Sequence, residues 1–341
     1  MKTDIKRLKE VLKKIKETKI GIYGDFCLDA YWVLDPRGSE ISLETGLPAK
    51  AVAEQYYSLG GASNVAANLA ALKPKEIHAF GIYGNDIFGR EMISQLKNIN
   101  VNTNGMIVQN ENFDTYTFSK ILLNGKEQPR IDFGTYNKRS EVTDKILLTA
   151  IAEAVKSVDI FILNQQVPDS ITNLSFIEEL NKIIKSNHDK IFILDSRHFA
   201  GKFENVSYKV NNIEAAKLSD TKIDDPEKIS NDTLVEIAKK LNTKTNRPVF
   251  ITRGENGMLA FDKNGLYEVE GIKLKEELDI VGAGDTVLSA LACSLGAGCN
   301  IQESIDLANL AAGVTVQKLH TTGTANEEEI INLYNKIYLS K

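Results

Sequence analysis

Cysteine is scarce in this chain, since only Cys27, Cys293 and Cys299 occur among 341 residues. Their spacing does not match a zinc site, and so few cysteines do not make a disulfide framework. We therefore expect neither kind of cross-link to hold the fold. The sequence instead predicts three packed thiols in a reducing cytoplasm.

Long apolar runs and an excess of positive charge are also missing. No stretch approaches the roughly 20 apolar residues that a membrane span needs. The net charge is −5, and this gives no sign of nucleic-acid binding. The sequence thus predicts a cytoplasmic protein with no nucleic-acid or membrane partner. A small anionic substrate would need a local positive site.

The composition is that of an ordinary globular protein, with 43% hydrophobic and 26% charged residues. The N-terminal segment, Met1 to Lys19, spaces its apolar residues as an amphipathic helix does. It has no continuous apolar core and is not a signal peptide. Its basic face permits membrane binding, but interspersed Asp4, Glu10 and Glu17 favour docking onto the domain instead.

Short apolar, β-rich runs alternate with helical patterns along most of the chain. The predicted strands are Ile20–Tyr23, Ile77–Tyr83, Asp159–Leu163, Ile191–Leu194 and Val249–Thr252. This order predicts an α/β fold, a doubly wound and mainly parallel sheet with helices on both faces. Ligands bind such sheets beyond the carboxyl ends of the strands. Polar residues stand at those ends: Gly24-Asp25, Asn164-Gln165-Gln166, Asp195 and Arg253-Gly254.

Two stretches, about 30–58 and 112–136, interrupt this alternation with strands and turns but no long helix. Thr115 to Leu123 is followed by Asn124-Gly125, and the chain returns through Arg130 to Phe133. Asn-Gly between apolar runs is a strong hairpin signal. The two stretches therefore predict a small antiparallel β-sheet, either a lid over a site or a surface for oligomer formation. We expect residues 1–341 to form a single domain that carries this lid.

The most informative motif is Asp279-Ile280-Val281-Gly282-Ala283-Gly284-Asp285, which runs straight into an apolar helical stretch. A loop of small residues at a helix start directs several backbone N–H groups at one point and attracts anions. A carboxylate in that first turn can accept a proton beside a phosphate. The motif predicts phosphoryl transfer with Asp285 as the base; the alternative is a glycine-rich turn with a capping aspartate.

A second small-residue motif begins at Gly60-Gly61 and continues through Asn64 into a helix. The glycines allow the backbone to approach a ligand, and the Asn64 amide can hydrogen-bond to hydroxyls. Asp25 and Asp29 could accept hydrogen bonds from a polyol. The alternatives are a glycine turn before a close-packed helix, and caps or turns for the two aspartates. Neither a spaced dinucleotide fingerprint nor a Gly-Lys-Ser/Thr phosphate loop is present.

Together these residues resemble the PfkB, or ribokinase-like, carbohydrate kinases from about Lys19 to Glu329. Within that family the chain looks most like the heptose-phosphate kinases, the kinase unit of bifunctional ADP-heptose synthases. The matching stretches are Gly24–Trp32, Gly60–Asn68, Arg130–Phe133 and Ala311–Leu319. The resemblance implies a ribokinase-like fold and covers the kinase unit, not a cytidylyltransferase-like extension.

The resemblance also implies roles for individual residues. Asp285 corresponds to the catalytic base, and the N–H groups of Gly282, Ala283 and Gly284 to the anion hole. The implied substrate-binding residues are Asp25, Asp29, Gly60, Gly61, Asn64 and Gln166. The implied cofactor-binding residues are Asn211, Glu214, Thr252, Gly254, Gly257, Asn309 and Gly313. Glu214 is also implied in Mg²⁺ positioning, and Asp279 lies where related enzymes build a K⁺ site.

Two segments depart from the heptose-phosphate kinase pattern. Leu163-Asn164-Gln165-Gln166-Val167-Pro168 stands in place of an Asp-Tyr-x-Lys-Gly segment, which removes a lysine suited to phosphate contact. The stretch is more similar to a ribokinase strand end, with Gln166 where an acidic residue is common. Asp195-Ser196-Arg197 replaces Asp-Pro-Lys, although Arg197 keeps the positive charge. Other cations in the lid stretches are either phosphate contacts or surface charges; they are Arg37, Lys120 and Arg130.

These observations lead to the hypothesis of an ATP-dependent carbohydrate kinase that uses Mg²⁺ and is activated by K⁺. The γ-phosphate would be transferred to a sugar or sugar-phosphate hydroxyl, with heptose 7-phosphate as the leading candidate. The alternatives are a kinase for an unphosphorylated sugar or nucleoside, and a non-catalytic sugar- or nucleotide-binding regulator on the same fold. The family resemblance further implies a homodimer formed through the β lid.

Overall fold

The computed structural model of the chain describes residues 1–167, 173–223, 229–319 and 322–339. Its strands are β1 (Lys19–Gly24), β2 (Phe26–Leu34), β3 (Val52–Gly61), β4 (Glu76–Gly84), β5 (Asn102–Gln109), β6 (Thr117–Leu123), β7 (Lys126–Glu127), β8 (Ile131–Phe133), β9 (Ile160–Gln165), β10 (Ile191–Ser196), β11 (Ser207–Asn211), β12 (Val249–Thr252), β13 (Met258–Asp262) and β14 (Gly265–Val269). Its α-helices are α1 (Ile5–Ile15), α2 (Ala62–Leu72), α3 (Ile87–Asn98), α4 (Glu141–Val155), α5 (Leu174–Ser186), α6 (Asn212–Leu218), α7 (Asn231–Thr245), α8 (Ala283–Gly296), α9 (Ile301–Thr315) and α10 (Glu327–Tyr334).

The larger sheet has nine strands in the order β14-β13-β12-β11-β10-β9-β1-β4-β5. From β5 to β12 the neighbouring strands are parallel, whereas β13 and β14 are antiparallel additions at one edge. The mainly parallel, doubly wound sheet predicted from the sequence is therefore confirmed. All five predicted strands are present, as β1, β4, β9, β10 and β12.

Helices cover both faces of this sheet, because its central strands are apolar on both sides. On β9, Ile160 and Ile162 belong to one core cluster, while Phe161 and Leu163 belong to the other. The first cluster includes residues of α2, α8 and α9, and the second includes residues of α4, α5 and α7. Continuous apolar strands of this kind are typical of buried parallel sheets.

Helix α1 docks on the domain, as its apolar spacing predicts. Leu8, Val11, Leu12 and Ile15 are buried in the first core cluster. Asp4 caps the helix by accepting a hydrogen bond from the Arg7 N–H at 2.8 Å. Within the described residues, no helix is both long and apolar enough to cross a membrane.

A second, five-stranded sheet corresponds to the predicted lid. Its order is β3-β2-β6-β7, and β8 also pairs with β6. The predicted hairpin is present: β6 turns at Asn124 and Gly125, both with positive φ, before β7. The pairing of β2 with β6 is parallel, however, while the other pairings in this sheet are antiparallel. The sheet also extends beyond the predicted limits, since β2 begins at Phe26 and β3 ends at Gly61.

Candidate active site

The start of α8 is the focus of the site. Gly282 is its N-cap, in a left-handed conformation with φ of 79° that favours glycine. The first hydrogen bond of the helical pattern is donated by Thr286 to the carbonyl of Gly282, at 3.0 Å. The N–H groups of Gly284 and Asp285 precede it and have no intrahelical acceptor. The α8 N-terminus thus presents these two donors and the positive end of a helix dipole. The Ala283 N–H, which the sequence assigns to the anion hole, instead donates to the Ile280 carbonyl at 3.2 Å.

Asp285 is held in place from the neighbouring helix α2. The Asn64 amide donates a hydrogen bond from Nδ2 to Asp285 Oδ2 at 2.7 Å. Asn64 is 2% exposed, and its own carbonyl accepts a hydrogen bond from Asn68 Nδ2 at 3.0 Å. Asn68 Oδ1 in turn accepts a hydrogen bond from the Thr286 hydroxyl at 2.7 Å. This network fixes the orientation of the Asp285 carboxylate relative to the helix start.

The surroundings of Asp285 give it the proton affinity of a general base. Burial raises its pKa to about 6, and the nearby Asp195 carboxylate also raises it. The Asn64 hydrogen bond and the charges of Lys209 and Arg197 act in the opposite direction. A base is most effective when its pKa lies close to the working pH. Asp285 is therefore ionised near neutrality and still able to accept a proton.

A cavity of about 310 Å³ opens in front of Asp285, and we call it the Asp285 cavity. Its walls include the predicted residues Asp29, Gly60, Gly61, Asn64, Gln166, Gly282 and Asp285. Gly61 has φ of 53°, and a Cβ there would lie 2.5 Å from the Asp25 carbonyl oxygen. No other residue fits this turn between β3 and α2 without displacing the backbone. The lid contributes Phe118, Lys120 and Arg130 to the cavity wall.

A second cavity of about 280 Å³, the Asn309 cavity, lies against the same helix start. The predicted residues Thr252, Gly254, Gly257, Asn309 and Gly313 all line it, together with Ala283 and Gly284. Apolar side chains, including Ile272, Leu274 and Val287, form much of the remaining wall. The segment from Gly282 to Asp285 therefore separates two cavities and contributes residues to both.

Asp25 does not line the Asp285 cavity, although the sequence suggests a substrate contact. It is fully buried, and its Oδ2 accepts hydrogen bonds from the N–H groups of Gln166 and Val167, at 2.6 and 2.7 Å. Burial raises the pKa of Asp25 to about 7. In the structure this carboxylate joins the end of β1 to the segment after β9, which itself borders the cavity.

Asn211 and Glu214 form a capping box at the start of α6. Asn211 Oδ1 accepts a hydrogen bond from the Glu214 N–H at 2.8 Å, and Glu214 Oε2 accepts one from the Asn211 N–H at 2.9 Å. Both residues line a further cavity of about 600 Å³, the Glu214 cavity, which shares Arg197 with the Asp285 cavity. Glu214 Oε1 makes no hydrogen bond with the described residues.

Asp279 lies apart from these walls, at the beginning of the loop that leads to α8. Its Oδ1 accepts a hydrogen bond from the Val281 N–H at 3.0 Å, and its N–H donates to the Val316 carbonyl at 2.9 Å. Across the described parts of the chain, no group of three or more His, Cys, Asp or Glu residues could hold a metal ion.

The structure also reveals a buried cation that the sequence motifs did not identify. Lys209 on β11 forms an ion pair with Asp195 at 2.6 Å, and both residues are at most 6% exposed. Burial lowers the pKa of Lys209, but the adjacent carboxylate outweighs this effect and the net shift is upward. A Cβ added to Gly284 would lie 3.1 Å from Lys209 Nζ. The ammonium group therefore lies beside the α8 N-terminus.

Two of the three lid cations considered from the sequence reach the Asp285 cavity. Lys120 Nζ donates to Asp29 Oδ2 at 2.9 Å and to the Tyr31 hydroxyl at 3.1 Å. Arg130 lines the cavity but pairs with Asp132. The Arg37 side chain is 90% exposed, pairs with Asp35, and is not part of the cavity wall.

Comparison with known proteins identifies the family to which this arrangement corresponds. The family model described as pfkB family carbohydrate kinase matches residues 20–328. A curated relative, bifunctional protein HldE of Hydrogenovibrio crunogenus, is 29% identical over 314 residues, which are 92% of this chain and 62% of that protein. Bifunctional protein HldE of Psychromonas ingrahamii is 30% identical over 329 residues, covering 95% and 65%. The chain thus spans less than two thirds of the length of either relative.

Solved structures agree on the fold. The crystal structure of phosphofructokinase-2 from Escherichia coli in complex with potassium superimposes with a TM-score of 0.73 at 18% identity. The match covers 94% of this chain and 99% of that one. At this level of identity the similarity establishes the ribokinase-like architecture alone.

Proposed function

We propose that this chain, which belongs to the pfkB family of carbohydrate kinases, transfers the γ-phosphate of ATP to a hydroxyl of a sugar phosphate. Heptose 7-phosphate is the leading candidate for the acceptor, because four sequence stretches resemble heptose-phosphate kinases. The observation that carries the proposal is the position of Asp285. It lies at a helix N-terminus that borders two cavities, so that one can hold the nucleotide and the other the acceptor.

The Asn309 cavity fits the nucleotide. Its apolar walls suit the faces of a purine ring, and its wall includes Gly284, whose N–H in the first turn of α8 has no intrahelical acceptor. These donors are suited to a phosphate. Lys209 adds a positive charge beside Gly284. We accordingly propose that Thr252, Gly254, Gly257, Asn309 and Gly313 contact ATP.

The proposed reaction takes place at the Asp285 cavity, on the other side of the α8 N-terminus. Asp285 accepts the proton of the acceptor hydroxyl as its oxygen forms a bond to the γ-phosphorus, and the bond from that phosphorus to the β–γ bridging oxygen breaks. ADP is the leaving group. The N–H groups of Gly282, Gly284 and Asp285 stabilise the charge on the transferred group, since that of Ala283 is engaged with the Ile280 carbonyl. Asn64 holds the Asp285 carboxylate in position throughout.

Mg²⁺ and K⁺ are part of the proposal as cofactors. Mg²⁺ characteristically keeps several waters and binds through one or two carboxylates and the substrate phosphates, so a dedicated protein cage is not required. Glu214, whose Oε1 has no hydrogen-bond partner in the described parts of the chain, fits such a role, and bound Mg²⁺ would neutralise phosphate charge. Asp279 is the residue that we propose for the K⁺ site.

The pH dependence of kcat/KM gives a specific test of the base. Because burial raises the pKa of Asp285 to about 6, kcat/KM should fall as the pH decreases through that value. At one unit below it, about one tenth of the enzyme would hold the ionised base. In Asn64→Ala the lost hydrogen bond should move this acid limb to higher pH. Asp25, with a pKa of about 7, makes no hydrogen bond to Asn64 and would not produce that shift. A profile unaffected by Asn64→Ala would assign the limb to another group.

The proposed partner, besides the small-molecule sugar phosphate, is a second copy of the chain bound through the β lid. Exposed apolar residues concentrate in and beside this sheet; they include Ile41, Leu43, Leu47, Val52, Tyr56, Ile131 and Tyr136. We expect light scattering to give twice the chain mass of 37.7 kDa at working concentration, and Leu47→Asp to lower it. A wild-type mass of one chain would contradict the dimer.

A cytoplasmic location is consistent with the three free, buried cysteines.

The acceptor is best identified by ATP-dependent ADP release with Mg²⁺, with and without K⁺, across a panel of candidates. The panel includes heptose 7-phosphate, fructose phosphates, fructose, ribose and adenosine. Highest kcat/KM with heptose 7-phosphate supports the proposal. Preference for an unphosphorylated sugar would instead indicate a different specificity. Its determinant would then be Asn164-Gln165-Gln166, in the segment where the heptose-phosphate kinases have a lysine.

A further inference from the structure

Among the residues that the structure describes, three cationic side chains line the Asp285 cavity, and two of them are already engaged. Lys120 is paired with Asp29 and also donates to the Tyr31 hydroxyl. Arg130 is paired with Asp132 and stacks over the Phe118 ring, with its guanidinium carbon 4.5 Å from the ring centroid. An anionic group entering the cavity would have to compete with these carboxylates for either cation.

Arg197 is the third cation, and the contacts of its guanidinium differ from those of Lys120 and Arg130. Among the residues that the structure describes, it has no hydrogen-bond acceptor and no ion-pair partner. It lies directly after β10, on the border between the Asp285 and Glu214 cavities, and it is exposed to both. Its charge acts on Asp285, since it lowers the pKa of that carboxyl.

The backbone that carries Arg197 is fixed by one buried residue of the neighbouring strand. The Gln165 carbonyl accepts a hydrogen bond from the Arg197 N–H at 3.0 Å. Gln165 Oε1 accepts two more, from the Ser196 hydroxyl at 2.8 Å and from the His198 N–H at 3.1 Å. Gln165 is 2% exposed. The guanidinium therefore projects from an ordered turn, which reduces the entropy lost when it binds a ligand.

The charges of the cavity indicate what this group binds. The charge of Asp29 is neutralised by Lys120. Asp285 is the proposed base and contacts the acceptor hydroxyl. A phosphate group on the acceptor would bring about two negative charges into the cavity. Arg197 is the one lining cation with no carboxylate partner among the described residues, and a guanidinium binds phosphate through two parallel hydrogen bonds.

We propose that Arg197 binds the phosphate group that the acceptor sugar already carries, and thereby selects a sugar phosphate over the corresponding unphosphorylated sugar. This inference rests on the proposed function, because it concerns the acceptor of the same reaction. It explains how the cavity accommodates a phosphorylated acceptor although this chain lacks the lysine of the Asp-Tyr-x-Lys-Gly segment.

The test compares Arg197→Gln with the wild type, using heptose 7-phosphate and fructose 6-phosphate beside unphosphorylated heptose and fructose. The variant should raise KM for the sugar phosphate that the wild type uses by about 10–100-fold, the worth of one or two charge-assisted hydrogen bonds. KM for ATP, and kcat/KM for the unphosphorylated sugars, should change less than about threefold. Arg197→Lys should recover part of the loss, because it restores the charge without the bidentate geometry.

A matched control is Arg90→Gln, which removes an exposed arginine of α3 that is not part of the Asp285 cavity wall. It should leave all these constants unchanged. Thermal unfolding of each variant checks that the fold is intact.

Other outcomes would overturn the inference. An equal loss with phosphorylated and unphosphorylated acceptors, or a large rise in KM for ATP, would assign Arg197 to the transferred phosphate instead. A wild type that prefers unphosphorylated sugars and is insensitive to Arg197→Gln would also contradict it, while the kinase function would stand.

Binding measured by calorimetry separates this inference from the proposed function. If the wild type releases no ADP with any acceptor, the kinase proposal fails. Sugar-phosphate binding that is weakened at least tenfold by Arg197→Gln would still support the role of Arg197. Undetectable binding of both sugar phosphates to the wild type would overturn it.

Discussion

Replacing Asp285 by asparagine is expected to lower kcat by about 10²- to 10⁴-fold, the usual contribution of a positioned general base. The amide cannot accept the proton of the acceptor hydroxyl. It does retain an oxygen that can accept the Asn64 hydrogen bond, now 2.7 Å long, so the side chain should stay in position. The effect should therefore appear in kcat, with little change in KM for ATP or in thermal stability.

The measurement is steady-state ADP release at saturating ATP and acceptor. Asp232→Asn, an equivalent change at an exposed position in the first turn of α7, is the control for loss of one carboxylate. A kcat for Asp285→Asn within tenfold of the wild-type value would contradict the assignment of Asp285 as the base. Since the pKa of Asp285 is raised to about 6, the remaining activity of the variant should also lose the acid limb of its pH profile.

Replacing Lys209 by methionine should destabilise the protein by about 3–5 kcal/mol, because it leaves a buried carboxylate without its partner. Methionine has a similar length and is apolar, so the loss would come mainly from Asp195. That residue is 5% exposed, and its Oδ2 lies 2.6 Å from Lys209 Nζ. Removing the ammonium group beside Gly284 should additionally raise KM for ATP.

Urea unfolding at fixed temperature measures the first effect. The double variant Lys209→Met/Asp195→Asn provides the control, since it removes both charges and should recover part of the lost stability. A single variant less than about 1 kcal/mol below wild type would contradict a buried and strongly coupled pair. A double variant less stable than Lys209→Met would also contradict a buried and strongly coupled pair.

Much of the fold could be predicted because the sequence patterns that indicate it lie within single strands, turns or helices. The strands β1, β9 and β10 are continuous apolar runs, as expected for buried parallel strands. The hairpin after β6 was predictable from Asn124-Gly125, which both adopt the positive φ values that this turn requires. Helix α1 was predictable from the spacing of residues that the structure buries, including Leu8 and Ile15.

The features that were not predicted depend on partners distant in sequence. Strand β11 contains a lysine between Tyr208 and Val210, and a charged residue is not expected in a buried strand. Its partner Asp195 lies fourteen residues earlier on β10. The parallel pairing of β2 with β6 likewise joins segments that β3, α2, β4, α3 and β5 separate in the sequence. The one available signal for Lys209 was its position two residues before Asn211, an implied cofactor-binding residue.

Prediction of the candidate site was limited in the same way, because contacts between distant residues are not visible in the sequence. The sequence indicates that Asp25 and Asp29 both follow the first strand, but it does not distinguish their directions. In the structure Asp29 faces the Asp285 cavity, whereas Asp25 is buried against the Gln166 and Val167 N–H groups. The Gly282–Asp285 segment was identifiable because the helix start depends on consecutive residues. The contrast between Arg197, which has no partner among the described residues, and the paired Lys120 and Arg130 depends on contacts between distant segments, which the sequence does not show.

The most direct test of the central claim is to identify the product made from ATP, Mg²⁺ and heptose 7-phosphate by mass spectrometry. We expect a sugar that has gained one phosphoryl group, formed mole for mole with ADP and formed about 10²- to 10⁴-fold more slowly with Asp285→Asn. ADP formed without any phosphorylated sugar, or no reaction with any acceptor of the panel, would contradict the account.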